Sequence, residues 1–142
     1  METTMNNDLS TVLDLALARA VVTRDVDVAL GAHGLALGDL ALLLELYDAP
    51  DGKLRRVELA NRLGVTPSGV ARQLQPLERM GLVGRESHAR DARLALVVLT
   101  DTGRRVTEEA LPTAEQAAER TLSRFWPAGE RERLSKLIAA VR

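Results

Sequence analysis

The side chains with the most specific chemistry in this chain are Arg72 and Gln73, one turn behind Ser68 and Gly69. An arginine guanidinium donates two hydrogen bonds to O6 and N7 of guanine, and a glutamine amide pairs in the same two-fold way with adenine. Ser68 and Gly69 are small, so a helix starting there brings its free N–H groups and positive dipole end close to a phosphate. Thr66 and Pro67 supply that start: threonine is a good N-cap, and proline at the first helical position gives up an N–H that has no partner anyway. A second basic pair, Arg90 and Arg93, flanks Asp91 in a polar stretch. An arginine at a loop tip can enter the minor groove of DNA, and Asp91 can hold Arg93 through a charge-assisted bond. The plainer reading is a solvated surface, on which such an exposed ion pair contributes about 0–1 kcal/mol. His88, in the same stretch, reads as a surface residue or at most a phosphate contact.

Other chemistries find no residues to carry them. The chain has no cysteine, which removes disulfides, thiolate metal ligands, thiol nucleophiles and thiol redox sensing. Its two histidines, His33 and His88, are not at metal-ligand spacing, and there is no glycine-rich phosphate loop, paired-carboxylate motif or nucleophile with a base. We therefore expect no catalytic residues, no metal and no cofactor. Asp25 and Asp27 read as a solvated helix face. The longest apolar run, Leu94 to Leu99, is far below the roughly 18 residues of a membrane helix, and residues 1–8 are polar. The expected location is the cytoplasm, with no membrane partner.

The chain has 142 residues and a net charge of −1, and that small figure conceals a strong asymmetry. Residues 1–52 carry a net charge of −7, residues 53–105 carry +6, and residues 106–142 are neutral. A basic middle of this kind suits a polyanion.

The elements that position these residues follow from periodicity. Apolar residues at helical spacing predict a helix over Leu9–Leu30, ended by Gly31 and Gly34, and a second over Leu40–Tyr47. Leu54–Arg56 reads as a short strand, Glu58–Leu63 as a short helix ended by Gly64, and Pro67 to about Met80 as a third helix stopped by Gly81. The two short helices make a helix-turn-helix. Val70, Leu74 and Leu77 form the apolar stripe of the second, leaving Ser68, Gly69, Arg72, Gln73, Pro76 and Arg79 on the other face. Pro76 costs a hydrogen bond to the Arg72 carbonyl, so it marks either a bend or an early helix end. Leu82–Arg85 and Leu94–Leu99 read as strands joined by a polar hairpin loop. A long helix capped by Thr100 reaches about Phe125, with Pro112 expected to kink it, and a last one carries Leu134, Leu137, Ile138 and Val141. The fold class is all-α with a small β-hairpin wing: a winged helix-turn-helix with a helical lobe formed by both termini.

Several stretches resemble the MarR family of bacterial transcriptional regulators. They are Glu58-Leu59-Ala60-Asn61-Arg62-Leu63-Gly64-Val65-Thr66-Pro67-Ser68-Gly69-Val70, Leu77-Glu78-Arg79-Met80-Gly81-Leu82-Val83, Arg90-Asp91-Ala92-Arg93 and Val98-Leu99-Thr100-Asp101-Thr102-Gly103. The Asp-x-Arg wing followed by Leu-Thr-x-x-Gly is the most specific part. The resemblance implies an obligate homodimer that sets one winged helix per subunit into successive major grooves of double-stranded DNA. By position Ser68, Gly69, Arg72 and Gln73 match the family's base- and phosphate-reading face, and Asp91 and Arg93 its wing salt bridge and minor-groove arginine; with Thr66 and Arg90, read from the residues themselves, these are the expected DNA-binding residues. It also implies a small-molecule effector bound between the lobes; its binding residues are not legible, and His33, Arg24 and Tyr47, near the expected crevice, read as structural. Val57 departs from the family, standing where a Ser or Thr cap is usual, so a loose start is expected for the first helix of the motif.

One MarR-like domain over 1–142 is expected, with a DNA-binding lobe at 37–104 and a dimerisation lobe at 8–34 and 105–142. The amphipathic terminal helices support pairing independently, because a small winged core cannot cover both apolar stripes. The function expected is a ligand-responsive repressor binding a pseudo-palindromic operator. The alternatives are a winged-helix protein-interaction module without specific DNA binding, against which the basic middle argues, and an enzyme.

Overall fold

The computed structural model describes residues 4–87, 90–91 and 94–142. Asn6 caps α1 (Asn7–Leu30) by accepting a hydrogen bond from the Leu9 N–H at 2.8 Å. A 3-10 turn (Gly31–His33) and left-handed Gly34 (φ 72°) turn the chain into α2 (Leu37–Asp48). Strand β1 (Lys53–Arg55) leads straight into α3 (Arg56–Leu63), and left-handed Gly64 separates α3 from α4 (Pro67–Arg79). Strands β2 (Val83–Ser87) and β3 (Ala95–Leu99) form the wing, α5 (Asp101–Phe125) is the long connecting helix, and α6 (Ala128–Ala139) ends the fold.

The sheet is antiparallel in the order β1-β3-β2, with Leu54 opposite Val97 and Arg85 opposite Val97 on the other side. Its inner side chains, Leu54, Val83, Val97 and Leu99, join the leucines of α2 and the stripe Val70, Leu74 and Leu77 of α4 in one core. That core is aliphatic: Leu42, Leu43, Leu46, Leu59 and Leu74 are essentially fully buried. Where α5 runs along α1, the buried residues are the small Ala110, Ala114 and Ala117 with Thr107 and Thr121. Small residues let two helix backbones lie close together.

The Leu-Thr-x-x-Gly stretch is the joint between wing and helix. Thr100 Oγ1 accepts from the Gly103 N–H at 2.9 Å, capping α5, while its hydroxyl sits 2.7 Å from the Gly81 carbonyl and 3.0 Å from that of Leu82. Gly103 packs directly against the Leu82 carbonyl, where no side chain fits.

Two expectations are corrected, and the alternatives at Pro76 are narrowed. Asp25 and Asp27 are not merely a solvated face: Asp25 accepts from Thr121 Oγ1 and Arg124, both at 3.1 Å, tying α1 to α5, and Asp27 accepts from the Leu37 N–H at 2.7 Å, capping α2. Val57 does not begin α3. The helix starts a residue earlier, and the Arg55 N–H donates to Glu58 Oε2 at 3.1 Å, so its start is held from within. Pro76 does not end α4, which closes its next turn through a 3.0 Å bond from the Met80 N–H to the Pro76 carbonyl. The helix α5 runs on through Pro112.

Candidate nucleic-acid interface

The start of α4 is built by its own sequence. Thr66 is extended and its Oγ1 accepts from the Gly69 N–H at 3.0 Å; Pro67 occupies the first helical position. With that hydroxyl used as a cap and lying 3.2 Å from Ser68 Oγ, Thr66 acts by fixing the helix end. Burying Val70, Leu74 and Leu77 turns Ser68, Arg72, Gln75 and Arg79 to solvent. Gln73 is only half-exposed. Its amide lies against α2, so close to Gly38 that a β-carbon there would fall 3.2 Å from Nε2. The sequence-expected face is thus brought together except that Gln73 stands on its flank.

Ion pairs decide which cations are available to a partner. Arg62 pairs with Glu45 at 3.4 Å, Arg85 with Glu78 at 3.0 Å, and Lys53 with Glu86 at 2.9 Å. Arg55 pairs with Glu58 at 3.4 Å, and the hydrogen bonds from its backbone N–H and then its side chain hold the Glu58 carboxyl below its ordinary pKa. Arg72 and Arg79 have no acidic partner among the described residues, so their charge points outward uncompensated. On the wing, Arg90 is exposed and Asp91 half-buried, and the Asp91 carbonyl accepts from the Leu94 N–H at 3.0 Å. Arg93 lies outside the described residues, and with it the Asp91–Arg93 salt bridge, as does His88.

Of the three residues near the expected crevice, His33 and Tyr47 hold the fold. His33 Nε2 is 2.9 Å from Thr113 Oγ1, linking the turn after α1 to α5. Tyr47 donates to Glu108 Oε1 at 2.7 Å while the Arg104 guanidinium stacks 4.6 Å over its ring, and the hydrogen bond to Glu108 raises the phenol pKa. Arg24 is exposed. A separate apolar groove of about 300 Å³ runs between α1, the start of α2 and α5, lined by Val22, Val26, Leu37, Ala114, Ala118 and Leu122 with Thr23 and Glu115. Sequence reasoning missed this groove, since its walls come from three distant segments.

A second, larger groove of about 690 Å³ opens between α1, the end of α5 and α6, with Leu15, Val22, Leu122, Trp126, Leu134 and Ile138 on its walls. Beyond it Leu17 is 68% exposed, Leu137 71% and Val141 87%, so the apolar stripes of the terminal helices do not cover each other. Among the described residues no single helix is long and apolar enough to cross a membrane.

A helix-turn-helix backed by a three-stranded sheet, with a long helix leading away from the hairpin, defines a winged helix-turn-helix protein. Residues 33–94 match the MarR family model. The HTH-type transcriptional repressor YetL of Bacillus subtilis is 38% identical over 80 residues, covering 56% of this chain and 48% of that protein. The chain therefore spans about half the length of this curated relative. Among solved structures, Sco3205, a MarR family transcriptional regulator from Streptomyces coelicolor in complex with DNA, has a TM-score of 0.83 at 23% identity, covering 99% of this chain and 89% of that one. BpsR of Bordetella bronchiseptica, solved to explain regulation of its DNA binding by 6-hydroxynicotinic acid, has a TM-score of 0.80 at 21% identity, covering 99% of this chain and 97% of that one. The chain is thus similar in sequence to MarR family regulators over residues 33–94 and shares their fold over nearly its whole length.

Proposed function

We propose that this protein is a homodimeric, sequence-specific DNA-binding transcriptional regulator, a repressor whose DNA binding is set by a small-molecule effector. The observation that carries the reading is the face of α4: a capped helix N-terminus with Ser68 at its tip and the unpaired guanidinium of Arg72 one turn on. That face enters the major groove, with Arg72 reading a base edge and the α4 N-terminus meeting phosphate. Gly69 allows the close approach, and Gln73 reads from the flank once its amide leaves Gly38. Arg90 and Arg93 on the wing reach the adjacent minor groove, with Asp91 orienting Arg93. Residues 37–104 form the DNA-binding lobe, and 8–34 with 105–142 the dimerisation lobe.

A second copy covers the uncovered stripes of α1 and α6 through a twofold interface, which matches a pseudo-palindromic operator. YetL is named a repressor and BpsR is regulated by a small molecule, and both support the corresponding parts of this reading. The effector's place is the groove between α1, α2 and α5, where a bound ligand changes the spacing of the two winged helices. The protein works in the cytoplasm on DNA and catalyses no reaction.

The test is a fluorescence-anisotropy titration of purified protein into labelled duplex from its own upstream region, near physiological salt, against a scrambled duplex. Specific binding about 10³-fold or more tighter than to the scrambled duplex is expected. Equal binding to both, or none, favours a winged-helix module for a protein partner.

A further inference from the structure

Arg56 breaks the pattern of its helix. It shares the inner stripe of α3 with buried Leu59 and Ala60 and half-buried Leu63, a stripe that is otherwise apolar. Its Nε is buried and makes no hydrogen bond among the described residues. Leaving a buried guanidinium N–H unsatisfied is costly, and such groups in native folds call for an explanation. Beside it opens a small pit of about 320 Å³, lined by Arg55, Arg56, Val57, Pro67, Leu94 and Ala95. Its walls are therefore the start of α3, the first residue of α4 and the tip-side end of the wing at the start of β3.

That position is informative. If α4 lies in a major groove and the wing in the neighbouring minor groove, one DNA strand must pass between them. The pit lies between the first turn of α4 and the tip-side end of the wing, so it faces the strand that the two elements straddle. Glu58 partly offsets the charge of Arg55, at 3.4 Å, whereas among the described residues no carboxylate is paired with Arg56. We propose that Arg56, supported by Arg55, is a phosphate clamp for the straddled strand, its guanidinium taking a backbone phosphate oxygen in the charge-assisted geometry that arginine favours. The inference rests on the DNA-binding reading above and adds to it a contact that carries no sequence information.

The test uses Arg56→Gln, Arg56→Lys and Arg55→Gln, each checked for an unchanged circular-dichroism spectrum and thermal midpoint. Binding is measured over a range of salt to two duplexes, one from the upstream region and one of random sequence. Each phosphate neutralised contributes about 0.9 to the slope of log K against log salt. Arg56→Gln is expected to lower that slope by about 1 and to weaken both duplexes by the same factor, roughly tenfold. Arg56→Lys, which keeps the charge, retains the slope. Should Arg56→Gln fail to fold, the exposed Arg55→Gln carries the measurement, with a smaller drop expected in the same direction. An unchanged slope in a folded variant, or a loss confined to the upstream duplex, overturns the clamp while leaving DNA binding standing. A wild-type protein that binds neither duplex overturns both.

Discussion

Replacing Gly103 with alanine tests the joint on which the wing and the connecting helix depend. A β-carbon at this position would overlap the Leu82 carbonyl oxygen and fall 2.8 Å from Leu99 Cδ1 and 2.9 Å from the Leu82 carbonyl carbon. Two of those three atoms are backbone, so the conflict cannot be relieved by a side chain turning away. The start of α5 must lift off the root of β2. Overpacking of this kind costs about 1–3 kcal/mol. The same movement stretches the bonds from Thr100 to Leu82 and Gly103, at 3.0 and 2.9 Å, and losing a helix cap adds about 1 kcal/mol. A total of about 2–4 kcal/mol corresponds to a fall of roughly 6–16 °C in Tm for a chain of this size. The assay is thermal unfolding followed by circular dichroism at fixed protomer concentration, because a dimer's Tm depends on concentration. Gly129→Ala is the control: nothing lies within 4 Å of a β-carbon there, and its helical position should gain between zero and about 1 kcal/mol. A Gly103→Ala protein within about 0.5 kcal/mol of wild type would refute the reasoning.

Further outcomes follow from the same contacts. Thr66→Ala removes the acceptor for the Gly69 N–H and should cost about 1 kcal/mol in urea unfolding, while Thr66→Ser keeps it. Leu137→Arg places a charge in the uncovered stripe of α6; each buried leucine is worth about 1.5–3 kcal/mol and symmetry doubles it, so the dimer Kd should rise by two decades or more in sedimentation equilibrium. Glu58 is held ionised by Arg55, so its folded-state pKa lies below the unfolded one. Its stabilising effect is full above the ordinary carboxylate pKa and is lost as pH falls through the lowered one. The stability gap between wild type and Glu58→Gln, under about 1 kcal/mol because the pair is exposed, should therefore be present at pH 7 and shrink away as the pH is taken down through the lowered pKa in urea titrations.

The parts of this fold that could be read from sequence are those fixed by short-range physics. Thr66-Pro67, Gly64, Gly81 and Thr100 mark helix boundaries through their own backbone chemistry, and Val70, Leu74 and Leu77 show the face of α4 through spacing alone. What could not be read depends on distant partners. The start of α2 at Leu37 is fixed by Asp27, ten residues away, and the role of Asp25 by Thr121 and Arg124 across the lobe. The basic middle was visible as a sum, but which arginines remain available depends on Glu45 and Glu78 finding Arg62 and Arg85 in three dimensions. Arg56 stands out only in the structure, because its unbonded Nε and the pit beside it exist only once α3, α4 and the start of β3 meet.

The central claim is that the exposed face of α4 reads bases, and Arg72→Ala tests it most directly. The measurement is the ratio of affinities for the upstream and scrambled duplexes, at one salt concentration, for this variant beside wild type. Loss of a two-pronged base contact should reduce upstream binding by about 1–3 kcal/mol and scrambled binding much less, so the ratio falls about tenfold or more. An unchanged ratio, with both affinities intact or both reduced alike, would contradict the assignment of base reading to this face.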